Sequence, residues 1–241
     1  MISNLLIVSG GIFHDFEATS GALSGLLQEV GIQSRITTHV EDGLATLQSQ
    51  PVRMLTINAL RWEMAGEKYD PYREQEALTL SEKSQQAIAG HLQKGGALLA
   101  LHTASICFSN WPEWPSILGG TWQWGRSWHP APGSVRVTPS AQGYIRGLQA
   151  FEVTDELYTD LVVQPSARVL LRGEATEVEG EQPVLWAHTW DRGRVVYDAL
   201  GHDVRSLNEP NHRQALLRAV NWALAPQQQA EGKGVIDHDQ R

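Results

Sequence analysis

Short apolar runs that stop abruptly at small or polar residues set the pattern of this chain. Leu5 to Val8 ends in Ser9-Gly10-Gly11. Val52 to Asn58 is apolar and partly β-branched. Ala97 to Leu101 follows Gly95-Gly96 and halts at His102-Thr103-Ala104-Ser105. Arg194 to Leu200 halts at Gly201-His202-Asp203. Runs of this length behind glycine predict strands buried on both faces. Between them the period changes to that of a helix. Phe16, Thr19, Ala22, Leu23, Leu26, Leu27 and Val30 share one face before Gly31, and Val40 to Leu47 predicts a shorter helix. Thr79-Leu80-Ser81-Glu82 has the form of a capping box and opens a helix carrying Ala87, Ile88 and Leu92. Asn208 to Pro210 opens the last helix, with Leu216, Leu217, Val220 and Leu224 on one face and Pro226 as its stop. Strand and helix in alternation predict an α/β fold with a parallel sheet and right-handed crossovers.

Gln33 to Thr37, Val135 to Thr138, Phe151 to Val153, Ala167 to Leu171 and Pro183 to His188 read as further strands. Asp191-Arg192-Gly193 reads as a hairpin turn. Two stretches lack a period. Arg61 to Arg73 is expected to be a long loop. Asn110 to Pro132 is an excursion studded with Trp111, Trp114, Trp122, Trp124 and Trp128, whose aromatic content predicts order. No linker or repeat divides the chain, so one domain is expected over 1–226 and a polar tail over 227–241.

Composition narrows the function. The net charge of −8 offers no basic patch for phosphates, which argues against nucleic-acid binding. No apolar run approaches the roughly 18 residues that span a bilayer. The N-terminus has no basic region ahead of its apolar run and reads as a strand, not a signal peptide. A single cysteine, Cys107, excludes an intrachain disulfide and fits a reducing compartment, so a cytoplasmic location is the expectation.

Candidate chemistry collects where strands end. His14 follows the first run, His102 the central one, and His202-Asp203 the run ending at Leu200. In a parallel sheet these ends share one edge, where such folds bind ligands. His129, in Trp128-His129-Pro130, belongs to the excursion and can fold over the same place. Imidazole and carboxylate together suit acid–base catalysis, with His14, His102, His202 and Asp203 as the candidates. A divalent metal such as zinc, on His14, His129 and His202, is the other reading of the same set. Thr103, Ser105, Trp128 and His129 are candidates for substrate contact, the indole offering a flat apolar face and an N–H to a sugar. Asp203 reads equally well as a helix cap, and Asp15 as a favourable charge at a helix N-terminus. No glycine-rich nucleotide fingerprint occurs, and Cys107 lies too far past the strand to be a nucleophile on a strained turn.

The chain resembles the ThuA-like family, named for trehalose utilisation, from about Leu5 to Leu224. The matching pieces are Gly11-Ile12-Phe13-His14-Asp15-Phe16, Gly95 to His102, Trp111-Pro112-Glu113-Trp114 through Leu118-Gly119-Gly120, His129-Pro130, Asp155-Glu156-Leu157-Tyr158, and Gly193-Arg194-Val195 to Leu200-Gly201-His202-Asp203. The resemblance implies a flavodoxin-like three-layer α/β sandwich with a mostly parallel central sheet, akin to class I glutamine amidotransferases. Those enzymes carry a cysteine at the elbow after the central strand. Here His102-Thr103-Ala104 fills that place, which disfavours glutamine hydrolysis. The implied role is a carbohydrate enzyme acting on trehalose-like or keto-disaccharides by hydrolysis, elimination or isomerisation, with a sugar oxidoreductase in the same pathway and a homo-oligomeric state. The alternative is a non-catalytic sugar-binding or regulatory protein.

Overall fold

The computed structural model describes residues 5–141 and 143–226. In chain order the elements are β1 (Leu5–Gly11), α1 (Phe16–Glu29), β2 (Ser34–Thr37), α2 (Val40–Ser49), β3 (Met54–Leu60), α3 (Asp70–Glu76), α4 (Glu82–Gln93) and β4 (Ala97–Leu101). They continue with α5 (Trp114–Leu118), β5 (Gly120–Thr121), β6 (Gly133–Pro139), β7 (Phe151–Asp155), β8 (Val162–Val163), β9 (Arg168–Glu174), β10 (Gln182–Trp190), β11 (Gly193–Asp198), α6 (Val204–Asn208) and α7 (Pro210–Leu224). The tail expected over 227–241 lies outside the described residues.

One nine-stranded sheet runs in the order β2-β1-β3-β4-β11-β10-β9-β6-β7. The first five of these are parallel, and β3 and β4 are buried along their whole length. That burial is why β4 is a continuous apolar run and β3 is apolar apart from Thr56 and Asn58, the latter bonded through Nδ2 to Thr19 and Ser20. From β11 outward every pairing is antiparallel. Four reversals bring β7 back to the direction of β11, so the carboxyl ends of β1, β4, β11 and β7 all point to one edge.

The strand–helix alternation is observed, with α5, β5 and β8 as short elements that no period announced and three further departures. Arg61 to Arg73 is not all loop, because α3 begins at Asp70; this helix buries none of its residues and so left no apolar period to read. The helix start expected at Thr79 falls at Ser81, whose Oγ accepts from Ser84 N; Glu41 takes the Ser81 N–H and hydroxyl, so a carboxylate from α2 does the work of the box. A short α6, too brief for a periodic signal, precedes the final helix.

Candidate functional site

Each of the four strands ends in a turn that presents one side chain to the same point. At the end of β1, Gly11 has φ +141, and a Cβ there would lie 2.5 Å from the Leu60 carbonyl oxygen. Phe13 follows with φ +69, which swings His14 over the sheet edge before Asp15 caps α1 through a 2.9 Å bond from Ala18 N. His102 follows β4 directly and holds φ +44, an unfavourable conformation for a residue with a Cβ. Two bonds hold it there. Its Nδ1 donates to the Ala199 carbonyl at 2.6 Å, and its own carbonyl accepts from Tyr197 Oη at 2.6 Å. Glu156 comes straight after β7, and His202 two residues past Leu200, beyond Gly201.

The side chains converge. Glu156 Oε2 lies 3.3 Å from His102 Nε2, 3.3 Å from His202 Nδ1 and 3.8 Å from His14 Nε2. Its other oxygen, Oε1, lies 3.5 Å from His129 Nδ1. One donor atom from each of His14, His102, Glu156 and His202 falls within 4.8 Å of all the others. Burial opposes ionisation of Glu156, yet the three imidazoles hold its carboxyl far below the ordinary range. Burial also lowers the pKa of His14, outweighing the Glu156 carboxylate, whereas Glu156 raises that of His202.

Hydrogen bonding tests whether these donors fit a cation. A carbonyl only accepts, so the Nδ1 atoms of His102 and of His14, the latter 3.3 Å from the Ile12 carbonyl, carry protons. In the neutral ring Nε2 then presents a lone pair toward Glu156. Neither His14 Nε2 nor His202 Nδ1, both buried, makes a hydrogen bond among the described residues. Lone pairs aimed at a carboxylate oxygen are repulsive unless a proton or a metal ion lies between them, and four such atoms around one point leave room for either. Three imidazole nitrogens and one carboxylate oxygen form a donor set suited to a divalent transition metal, and carbonyls bonded to the far ring nitrogen, which fix the imidazole tautomer, are the usual support of such sites.

His14 and Glu156 open onto a cavity of about 460 Å³, walled by Trp62, Trp122, Trp124 and Tyr158, with Lys68 and His129 at its sides. A larger cleft of about 660 Å³ lies at the opposite edge of the sheet, beside Arg53 and Lys94. It gathers no comparable set, since its one histidine, His91, is bonded to the Ala97 carbonyl.

The residues singled out from sequence are distributed as follows. His14, His102 and His202 meet, and His129 stands on the far side of Glu156, outside the four-donor set. The metal trio expected as His14, His129 and His202 is thus regrouped, with His102 and Glu156 in place of His129. The Asp203 side chain turns away to cap α6 and pair with Arg205, at 2.8 Å from its N–H and 2.6 Å from its guanidinium. Thr103 borders the cavity but its hydroxyl is bonded to the Ala59 carbonyl, and Ser105 is buried against Tyr197 Oη. Trp128 is 45% exposed and does not line the cavity, because the chain there is anchored by its backbone carbonyl to Thr159. Burial pushes the Cys107 thiol up to about 12, which leaves it an inert donor to the Ala59 carbonyl. The residue missed is Glu156. Phe151 and Val153 alternate inward before a polar stop, which marks a strand but not the edge of the sheet at which it ends.

Strand order 2-1-3-4 followed by β11, with polar side chains gathered over the carboxyl edge, defines a flavodoxin-like α/β protein with its site at that edge. The family model described as ThuA, trehalose utilisation, matches residues 4–223, and the chain belongs to that family. The structure is similar to a ThuA-like protein from Parabacteroides merdae (TM-score 0.70, 16% identity, covering 92% of this chain and 89% of that one). It is also similar to a ThuA-like protein from Bacteroides uniformis (TM-score 0.64, 15% identity, 91% and 90%). A β-galactosidase from Rahnella sp. R3 contains a similar fold (TM-score 0.62, 12% identity, 94% of this chain but 32% of that one). The sequence has no match among curated proteins. Family membership suggests a protein related to trehalose utilisation.

Proposed function

We propose that this protein is a metal-assisted enzyme of sugar catabolism, acting on trehalose-like or keto-disaccharides. The observation that carries the reading is the convergence of His14, His102, Glu156 and His202, two of which, His14 and Glu156, line an aromatic-walled cavity. These four residues would hold a divalent ion such as zinc, which when bound would act as a Lewis acid toward a sugar carbonyl or hydroxyl. The protein's own groups do the rest. Trp62, Trp122 and Trp124 offer flat faces to the C–H side of a pyranose and keep water from it. His129 lines the cavity outside the donor set, and its imidazole can take the proton beside a keto group or return one to a leaving oxygen. His129 Nδ1 donates to the Pro130 carbonyl at 2.9 Å, which orients that ring, and Glu156 Oε1 lies 3.5 Å from the same nitrogen.

The same reading takes the protein to be cytoplasmic and homo-oligomeric, with a sugar oxidoreductase supplying the keto-sugar. The location is supported by a similar Salmonella typhimurium structure, of a protein called cytoplasmic (TM-score 0.63, 11% identity, 91% of this chain and 98% of that one). The test is metal analysis of the purified protein together with mass-spectrometric turnover of a panel of disaccharides and their keto forms. Turnover that disappears in His102→Ala and His202→Ala supports the proposal. A metal-free protein that binds sugars but converts none of them makes it a sugar-binding protein instead.

A further inference from the structure

Behind the four donors, away from the cavity, lies a second carboxylate. Asp155 ends β7 and is only 1% exposed. Its Oδ1 accepts from the backbone N–H of Glu156 at 2.8 Å and of His202 at 3.2 Å, and its Oδ2 accepts from Gly201 N at 2.7 Å. No ion pair to a basic side chain joins it among the described residues. Three backbone N–H groups facing two oxygens require an acceptor-only side chain. An amide in the same place would turn an NH₂ toward one of them.

The partners matter because of where they sit in the sheet. Glu156 follows β7 and His202 follows β11, and three strands, β10, β9 and β6, lie between those two. No ladder of backbone bonds therefore sets the distance between the Glu156 and His202 turns. Asp155 spans it directly, and Gly201, at φ +106, supplies the turn that aims its N–H at the carboxylate.

We propose that Asp155 is a positioning residue that fixes Glu156 and His202 relative to each other, so that the four-donor geometry exists before an ion arrives. The proposal rests on the reading of this site as a metal centre. It also places a second negative charge immediately behind the site, which favours a dication over no ion.

The test is zinc and manganese affinity of the full-length protein and of Asp155→Asn, measured by competition with a chromophoric chelator. The expected result is affinity roughly 10- to 100-fold weaker in the variant, the usual cost of losing an outer-shell partner. A role confined to folding would lower the melting temperature of the metal-free variant and leave affinity alone, so wild-type affinity in a folded Asp155→Asn overturns the proposal. Amide hydrogen exchange on the metal-free wild type needs no variant. Protected Gly201 and His202 amides support preorganisation by Asp155, and exchange as fast as an open loop overturns it. If the wild type binds neither ion, the metal-centre reading itself fails, a result distinct from loss of amide protection.

Discussion

His102 Nδ1 sits 2.6 Å from the carbonyl oxygen of Ala199, so the turn after β4 is bonded to the chain that leaves β11. The bond determines both ends of the ring: Nδ1 is the donor, and Nε2 is left facing Glu156. It also gives the Ala199 carbonyl its partner in a place closed to water. Replacing His102 by Ala should therefore do two separable things. Zinc affinity should fall by more than about 100-fold, beyond the usual cost of an outer-shell change. The metal-free protein should lose about 1–3 kcal/mol in urea unfolding, because a buried acceptor is left unpaired. A variant with unchanged metal affinity would remove His102 from the donor set.

Glu156→Gln separates charge from shape. The amide fills the same volume, but it brings an NH₂ toward nitrogen lone pairs and takes away the one negative charge among the four donors. Wild-type melting temperature should rise with added zinc, since an ion that binds only the folded state stabilises it. Glu156→Gln should melt near the metal-free wild type and show no rise. An equal zinc-dependent rise in both proteins would exclude Glu156 as a ligand.

How much of this was legible in sequence depends on the kind of signal. The parallel core was legible because β4 is buried on both faces and apolar throughout, and β3 is buried along its length and apolar apart from Thr56 and Asn58. The histidines were legible because each follows such a run. Glu156 was not, since β7 stands four places from β11 in the sheet and only the antiparallel succession of β10, β9 and β6 brings its end to the shared edge. Strand direction across four reversals is a property of the whole fold that no local period encodes. The role of Asp203 was ambiguous for another reason. A cap and a catalytic carboxylate have the same local sequence, and the choice is made here by Arg205, two residues on.

The cavity wall predicts a contrast between neighbouring tryptophans. Trp124 lines the cavity with its ring tilted 6.4 Å from Trp62, although it is 52% exposed. Trp128, exposed to a similar degree, lies outside the lining. Loss of one aromatic face is worth about 0.5–1.5 kcal/mol, up to roughly tenfold in affinity. Trp124→Ala should weaken disaccharide binding by that amount in isothermal titration without changing zinc content. Trp128→Ala should leave both as they are. Equal losses from the two substitutions would mean that the sugar does not sit in this cavity.

Away from the site, a fully buried His212 bonds the Asp198 carboxylate through Nε2 at 2.9 Å and the Ser206 carbonyl through Nδ1 at 2.8 Å. Both ring nitrogens face acceptors, so the ring is an imidazolium. Burial alone would lower its pKa, but Asp198, the Ser206 carbonyl and Asp155 together outweigh burial and raise it to about 9. A folded-state value above the unfolded value of about 6.5 means that folding takes up a proton. The pair's stabilisation is then complete below about pH 6.5 and is lost as pH rises through about 9. The difference corresponds to something on the order of 3 kcal/mol. Urea unfolding at pH 6, 7.5 and 9 should show wild-type stability falling across this window. The double variant Asp198→Asn/His212→Gln, neutral at both positions, should lack that part of the slope. A wild-type slope no steeper than the double variant's would show that His212 is uncharged in the folded protein.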